Sequence, residues 1–162
     1  MTATMTAKAA DHAPGTVFHS QFMTSTLLEL SASAFRVEVE ARRGAGGGPL
    51  HRHLHQTERF IVHDGALRVR LGLRGSRLVA AGEEIIVPPG RPHTFRVEGD
   101  RARFTAEFTP PLQVADYFLE LFALEDPALR DVARLASRYP REHFYLPLVP
   151  ARVQRAFLSM LG

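Results

Sequence analysis

The residues of this 162-residue chain whose types and spacing could do chemistry are His51, His53, Glu58 and His93. Imidazole nitrogens and a carboxylate oxygen are ligands for a divalent ion. The chain has no cysteine, so disulfides and thiol chemistry are excluded and a metal would be held by nitrogen and oxygen alone. Residues two apart on a strand share a face, so His51 and His53 point the same way, and His55 joins them if the strand continues. Glu58 shares its phase with Phe60 and Val62 and is expected to face inward with them. His93 follows the turn Pro88-x-Gly90-x-Pro92, which would bring it in from a separate strand. Inside a barrel such groups are costly without partners, and one divalent cation shared among them removes that cost. Two pairings compete. The proline-leucine entry and the four-residue interval before Glu58 favour His51 with His53, which leaves His55 at a cavity mouth or in solvent; His53 with His55 is the alternative. His12, His19 and His143 read as surface or hydrogen-bonded histidines. His63, out of phase with Glu58 and beside a turn signal, reads the same way.

The elements that must position these groups are short strands. Val17 to Phe22 and Thr26 to Leu30 suggest an edge hairpin or an arm that pairs with a second subunit. Phe35-Arg36-Val37-Glu38-Val39-Glu40 alternates apolar and charged residues, the pattern of a half-buried strand. The breaker run Gly44 to Pro49 lacks the Lys-Ser/Thr and the helix of a phosphate-binding loop, and reads as a turn into the histidines. Glu58 to His63 is a strand ending at Asp64-Gly65, a tight-hairpin signal. Leu67, Val69, Leu71 and Leu73 mark the next strand, Gly75-Ser76 a turn, and Arg77 to Ala80 another strand. Ile85 to Val87 is halted by Pro88-Pro89-Gly90. His93 to Val97 and Arg103 to Thr109 complete the set, separated by Gly99-Asp100. Many short strands with turns every eight to twelve residues predict an all-β barrel or sandwich.

At Thr109-Pro110-Pro111 the period changes. Leu112, Ala115, Leu119, Phe122 and Ala123 fall at helical spacing. Asp126-Pro127 reads as an N-cap and first-turn proline for a second helix, with Leu129, Val132, Ala133 and Ala136 inward. Tyr139-Pro140 ends it. Pro147 and Pro150 bracket an irregular piece, and Val153, Ala156, Phe157, Met160 and Leu161 form a last amphipathic helix. The helices are expected to cover the barrel or a dimer contact. Arginines crowd this region, but the segment from Tyr139 to Pro150 is too long and proline-rich for a helix-turn-helix reader of DNA.

Composition is ordinary for a globular protein, with 45% hydrophobic and 23% charged residues. The pI of 9.9 reflects arginine, since of the 20 basic residues only Lys8 is lysine, and the net charge is only +3. The basic residues are scattered rather than blocked, which argues against a nucleic-acid partner. No apolar run reaches the ~18–20 residues of a membrane span. The opening residues lack the pattern of a secretory signal, and the absence of cysteine fits a reducing cytoplasm. The expected organisation is a disordered leader over 1–16, a β-barrel over 17–109 and a helical extension over 110–162.

Two runs resemble the motifs of the cupin family. His51-x-His53-x4-Glu58-x6-Gly65 resembles the first, although Ala45 stands where the motif has glycine, with Gly46 beside it. Gly82-x5-Pro88-x-Gly90-x2-His93 is similar to the second, although Val97 stands where that motif ends in asparagine. The resemblance covers about residues 17–109. It implies a cupin double-stranded β-helix, a jelly-roll barrel with C-terminal α-helices, that binds one metal ion (Fe, Mn, Ni, Zn or Co) through His51, His53, Glu58 and His93. It also implies a homodimer. A metal held by four protein ligands keeps about two open positions, which suits a small-molecule substrate. The expected function is a metal-dependent enzyme such as a dioxygenase acting on a small carbonyl or aromatic compound, with Glu58 as proton acceptor. Phe35, Val37, Phe60, Val69, Phe95, Phe104 and Phe108 would form either the pocket walls or plain core. The alternatives are a metal-dependent isomerase or decarboxylase, and a non-catalytic small-molecule-binding protein.

Overall fold

The computed structural model describes residues 12–124, 128–139, 149–150, 152–154 and 156. Seven strands come first: β1 (Val17–His19), β2 (Met23–Leu30), β3 (Phe35–Arg42), β4 (Thr57–Leu71), β5 (Gly75–Ala80), β6 (Glu84–Val87) and β7 (His93–Thr109). Helices α1 (Val114–Phe122) and α2 (Leu129–Arg138) follow. All pairings are antiparallel, in the order β1-β2-β3-β7-β4-β5, with β6 also on β4.

The two long strands make this arrangement a jelly roll. The first half of β4 lies between β6 and the second half of β7. Its second half lies between β5 and the first half of β7. Each long strand thus serves two sheets and bends where it passes from one to the other. The bend is visible as register shifts between Val62 and Asp64 and between Gly65 and Ala66. An extra residue in a strand reverses which side chains face the core. Along β4 the buried positions are Glu58, Phe60 and Val62, then Leu67 and Val69. Along β7 they are His93 and Val97, then Ala102, Phe104, Ala106 and Phe108, with Thr105 also buried.

Two expectations from the turn signals are therefore corrected. Asp64-Gly65 does not close a hairpin, and Gly99-Asp100 does not separate two strands. Both lie within continuous strands, at the bend. Gly65 has φ +71°, and a Cβ there would lie 2.2 Å from the carbonyl oxygen of Arg101, so only glycine permits this approach of β4 to β7. A third turn shifts as well. Gly75-Ser76 opens β5, and the chain turns at 72–74, which leaves Leu73 exposed.

The barrel is filled with side chains. Phe35, Val37, Phe60, Val69, Phe104 and Phe108 are all buried, and Phe95 packs half-buried against them. Phe60, Phe95 and Phe104 meet with ring centroids 5.3–6.0 Å apart, within the usual range for aromatic pairs. These phenylalanines are core. The helix α1 closes one end of the barrel. Its Phe118 lies 6.1 Å from Phe35 and 5.4 Å from Phe108, and Val114, Ala115 and Leu119 join the same core. Leu112 precedes this helix. In α2, Ala136 is buried as expected and Val132 is half-buried. Leu135, which the periodicity did not single out, is almost fully buried against Tyr117 and Tyr139. Residues 152–154 and 156 are helical, but Val153 and Ala156 are exposed and Gln154 is buried, so the expected inward face is corrected there. The Asp126-Pro127 cap, residues 1–11 of the expected leader, His143, Pro147, Phe157, Met160 and Leu161 lie outside the described residues.

Candidate metal centre

The four singled-out side chains meet inside the barrel. His51, His53, Glu58 and His93 are 5%, 3%, 6% and 2% exposed, and one ligand atom from each lies within 4.8 Å of the others. Glu58 comes from β4, where it pairs with Val87 of β6 and Phe108 of β7. His93 opens β7. His51 and His53 lie on an extended segment between β3 and β4. It was expected to be a strand, but only a single bridge forms, between His51 and His93. That bridge is doubly hydrogen-bonded: the His51 amide donates to His93 oxygen at 3.0 Å and the His93 amide to His51 oxygen at 2.7 Å. The proline turn has a visible purpose. The Gly90 amide donates to the His53 carbonyl at 2.6 Å, tying the turn before His93 to the segment that carries the other two imidazoles.

Backbone carbonyls fix the ring orientations. His51 Nδ1 donates to Pro49 oxygen at 2.8 Å, and His93 Nδ1 donates to Arg91 oxygen at 2.9 Å. A carbonyl only accepts, so Nδ1 carries the hydrogen in both rings, and Nε2 is left as the inward lone pair of the neutral form. Glu58 Oε2 accepts from His93 Nε2 at 2.5 Å and lies 3.5 Å from His53 Nε2.

The electrostatics follow from this geometry. Burial pushes the pKa of His51 down to about 3, and the neighbouring His93 and His53 push the same way. It therefore stays neutral. For Glu58, burial favours the protonated form but is outweighed by the hydrogen bonds and charges of His53 and His93, which hold it well below the usual carboxylate range. For His93, burial is again outweighed by Glu58, and its pKa is raised. The centre is thus an anionic carboxylate with a proton-bearing imidazole against it, in a nearly water-free surrounding. A divalent cation fits this donor set: nitrogen and oxygen donors, two rings with their lone pairs pre-aimed, and a negative charge that otherwise depends on a proton for compensation.

His55 is exposed and lies outside the cluster, as expected with the His51/His53 pairing. His63 is also exposed, with its Nε2 2.8 Å from Thr105 Oγ1. His12 and His19 lie away from the centre. Sequence reasoning missed Gln56. It is 1% exposed and donates to the Pro111 carbonyl at 3.0 Å, fastening the approach to Glu58 onto the start of the helical extension. Its phase, shared with Glu58 and Phe60, was the available signal. Phe108 stands edge-on to His53 at 5.5 Å and links the centre through Phe118 to α1.

The family described as cupin domain matches residues 37–106. Solved structures similar to this chain include KdgF from a Halomonas species, at 21% identity and a TM-score of 0.51 over 62% of this chain and 90% of that one. An RmlC-like cupin from Shewanella frigidimarina matches at 18% identity and a TM-score of 0.53, over 59% and 84%. An oxalate decarboxylase from Bacillus subtilis matches at 18% identity and a TM-score of 0.51, over 59% of this chain and 27% of that one. These likenesses concern the fold. No curated protein matches the sequence. The jelly-roll barrel and the paired motifs agree with the match of residues 37–106 to a cupin domain.

Proposed function

We propose that the protein is a metal-dependent enzyme in which His51, His53, Glu58 and His93 hold one divalent ion. Support comes from one observation above all: four ligand atoms from three separate stretches of chain lie within 4.8 Å of one another in the barrel interior. When bound, such an ion supplies Lewis-acid polarisation and, if it is redox-active, the means to handle O2. The chain's own residues do the rest. Pro49 and Arg91 carbonyls hold the two rings in one tautomer. The packed phenylalanines keep water from the site and confine a substrate to a small molecule. Glu58 is anionic and buried, which suits a ligand. It acts as proton acceptor only where it loosens from the metal.

The leading reaction is oxygen insertion into a small carbonyl or aromatic compound. A second reading, isomerisation or decarboxylation by the same ion without O2, is favoured by the buried, anionic Glu58 carboxylate, a proton acceptor where it loosens from the metal. The experiment is oxygen uptake and substrate consumption by Fe(II)-loaded protein with diketones and catechols. Uptake coupled to consumption supports the first reading. Consumption without uptake supports the second. Metal retained with nothing consumed supports a non-catalytic binding protein. Protein that takes up no divalent ion from Fe, Mn, Ni, Zn or Co removes all three.

A further inference from the structure

Away from the metal centre, α1 carries a carboxylate with no evident use. Asp116 is 3% exposed, and its Oδ1, shut off from solvent, has no hydrogen-bond partner. Among the described residues no cation pairs with it. One turn further along the same helix face, Glu120 is fully engaged: Arg138 Nη2 lies 2.5 Å from its Oε2, and the Tyr139 hydroxyl donates to Oε1 at 2.8 Å. Asp116 has no such neighbour. A buried carboxylate without a donor or a counter-charge is costly to keep, and functional sites are where proteins retain such groups.

Asp116 also lines a cavity of about 390 Å³ between β1 and α1. The apolar part of the remaining wall is formed by Val17, Phe18, Leu119 and Phe122, and its polar part by His12, His19 and the engaged Glu120. Phe18 and Phe122 stack with centroids 5.5 Å apart and planes 22° from parallel. The volume is that of a small-molecule site, and such sites combine apolar walls with a few placed polar groups. Here the polar group without a partner is the Asp116 carboxylate, and the aromatic walls are the stacked rings of Phe18 and Phe122.

We infer that the cavity between β1 and α1 binds a small organic cation, an ammonium group with a compact apolar body, with Asp116 as its counter-ion. The site uses none of the metal ligands, so it stands independently of the reaction proposed above.

The test compares 2-phenylethylamine with its neutral counterpart 2-phenylethanol, by calorimetry and thermal shift on metal-loaded full-length protein. The amine is expected to bind at least tenfold more tightly than the alcohol and to raise the melting temperature. In Asp116→Asn that preference is expected to vanish, with metal content unchanged. The unliganded variant is expected to melt at or above the wild-type temperature, because the uncompensated charge is gone. Equal binding of amine and alcohol to wild type would show an apolar cavity in which Asp116 is no counter-ion and overturn the proposal. So would binding of neither, or a preference for the amine that survives in Asp116→Asn. The wild-type comparison decides the matter even if the variant folds poorly.

Discussion

The Val97 amide donates to the carbonyl of Ala45 at 3.2 Å. These are the two positions at which the chain departs from the cupin motifs, and in the fold they meet. The close approach a glycine would serve at position 45 occurs one step along. Gly46 bridges Arg96, and a Cβ on Gly46 would lie 2.7 Å from the Phe95 carbonyl oxygen. Val97 is 8% exposed and packs in the apolar core. Restoring the motif residue there therefore puts an amide where it has no assigned partner. Val97→Asn is expected to destabilise the protein by roughly 1–3 kcal/mol and to lower its melting temperature by several degrees, while metal content stays at the wild-type level. A variant as stable as wild type would show that the amide finds partners in this pocket.

Histidines two residues apart should differ sharply in their effect on the metal. His53→Ala removes a ligand candidate that is 3% exposed, whereas His55 is exposed. Loss of an outer-shell partner alone costs roughly 10–100-fold in metal affinity, so loss of a ligand at 51, 53 or 93 is expected to exceed that. His55→Ala is expected to leave metal content unchanged. Elemental analysis of the four variants, purified without a histidine tag, makes the comparison; depletion in His55→Ala equal to that in His51→Ala would reverse the choice of pair.

Metal uptake should expel a proton from His93. Its pKa is raised above the ordinary 6.5 because Glu58, against the opposing effect of burial, favours the charged ring. At pH 6 the proton on Nε2 therefore faces Glu58, and an ion taking that nitrogen must displace it. His51, pushed down to about 3 chiefly by burial, has none to release at that pH. The sign follows: affinity rises with pH until the raised pKa of His93 is passed, by about tenfold per pH unit for one proton. Calorimetry in two buffers of different ionisation enthalpy should report about one proton released from His93 at pH 6. No release would mean that the ion leaves the His93–Glu58 hydrogen bond intact.

The centre was legible because ligand chemistry restricts residue type and strand geometry restricts spacing. His51 and His53 share a face, and Glu58 shares a phase with Phe60 and Val62, so the cluster could be read before any fold was known. The long strands were not legible as single elements. Asp64-Gly65 and Gly99-Asp100 carry a hairpin's composition, but a glycine at positive φ serves a bend inside a strand as well as a turn between two. Which of these occurs depends on the partner strand, here on how closely β7 passes Gly65, and a local pattern does not contain that. Gln56 and Leu135 were missed for the same reason. Each is buried by an element distant in sequence: Gln56 by the start of the helical extension at Pro111 and Leu135 by Tyr117.

The two bend glycines allow this distinction to be tested. Gly65 and Gly99 both have positive φ, +71° and +83°. A Cβ at Gly65 would lie 2.2 Å from Arg101 oxygen and 3.0 Å from Ala102 Cα, backbone atoms of β7 that cannot step aside without moving the strand. At Gly99 a Cβ would meet nothing within 4 Å. Gly99→Ala should therefore cost only the left-handed backbone penalty, about 1–2 kcal/mol. Gly65→Ala adds a clash at the point where both sheets are joined, and is expected to cost more than about 3 kcal/mol. Because Glu58 and His93 lie on the two strands forced apart, it should also weaken metal retention, which Gly99→Ala should not. Urea denaturation and elemental analysis of both variants provide the measurement; equal stability losses would mean that β4 and β7 can separate at Gly65 without strain, contrary to the bend described above.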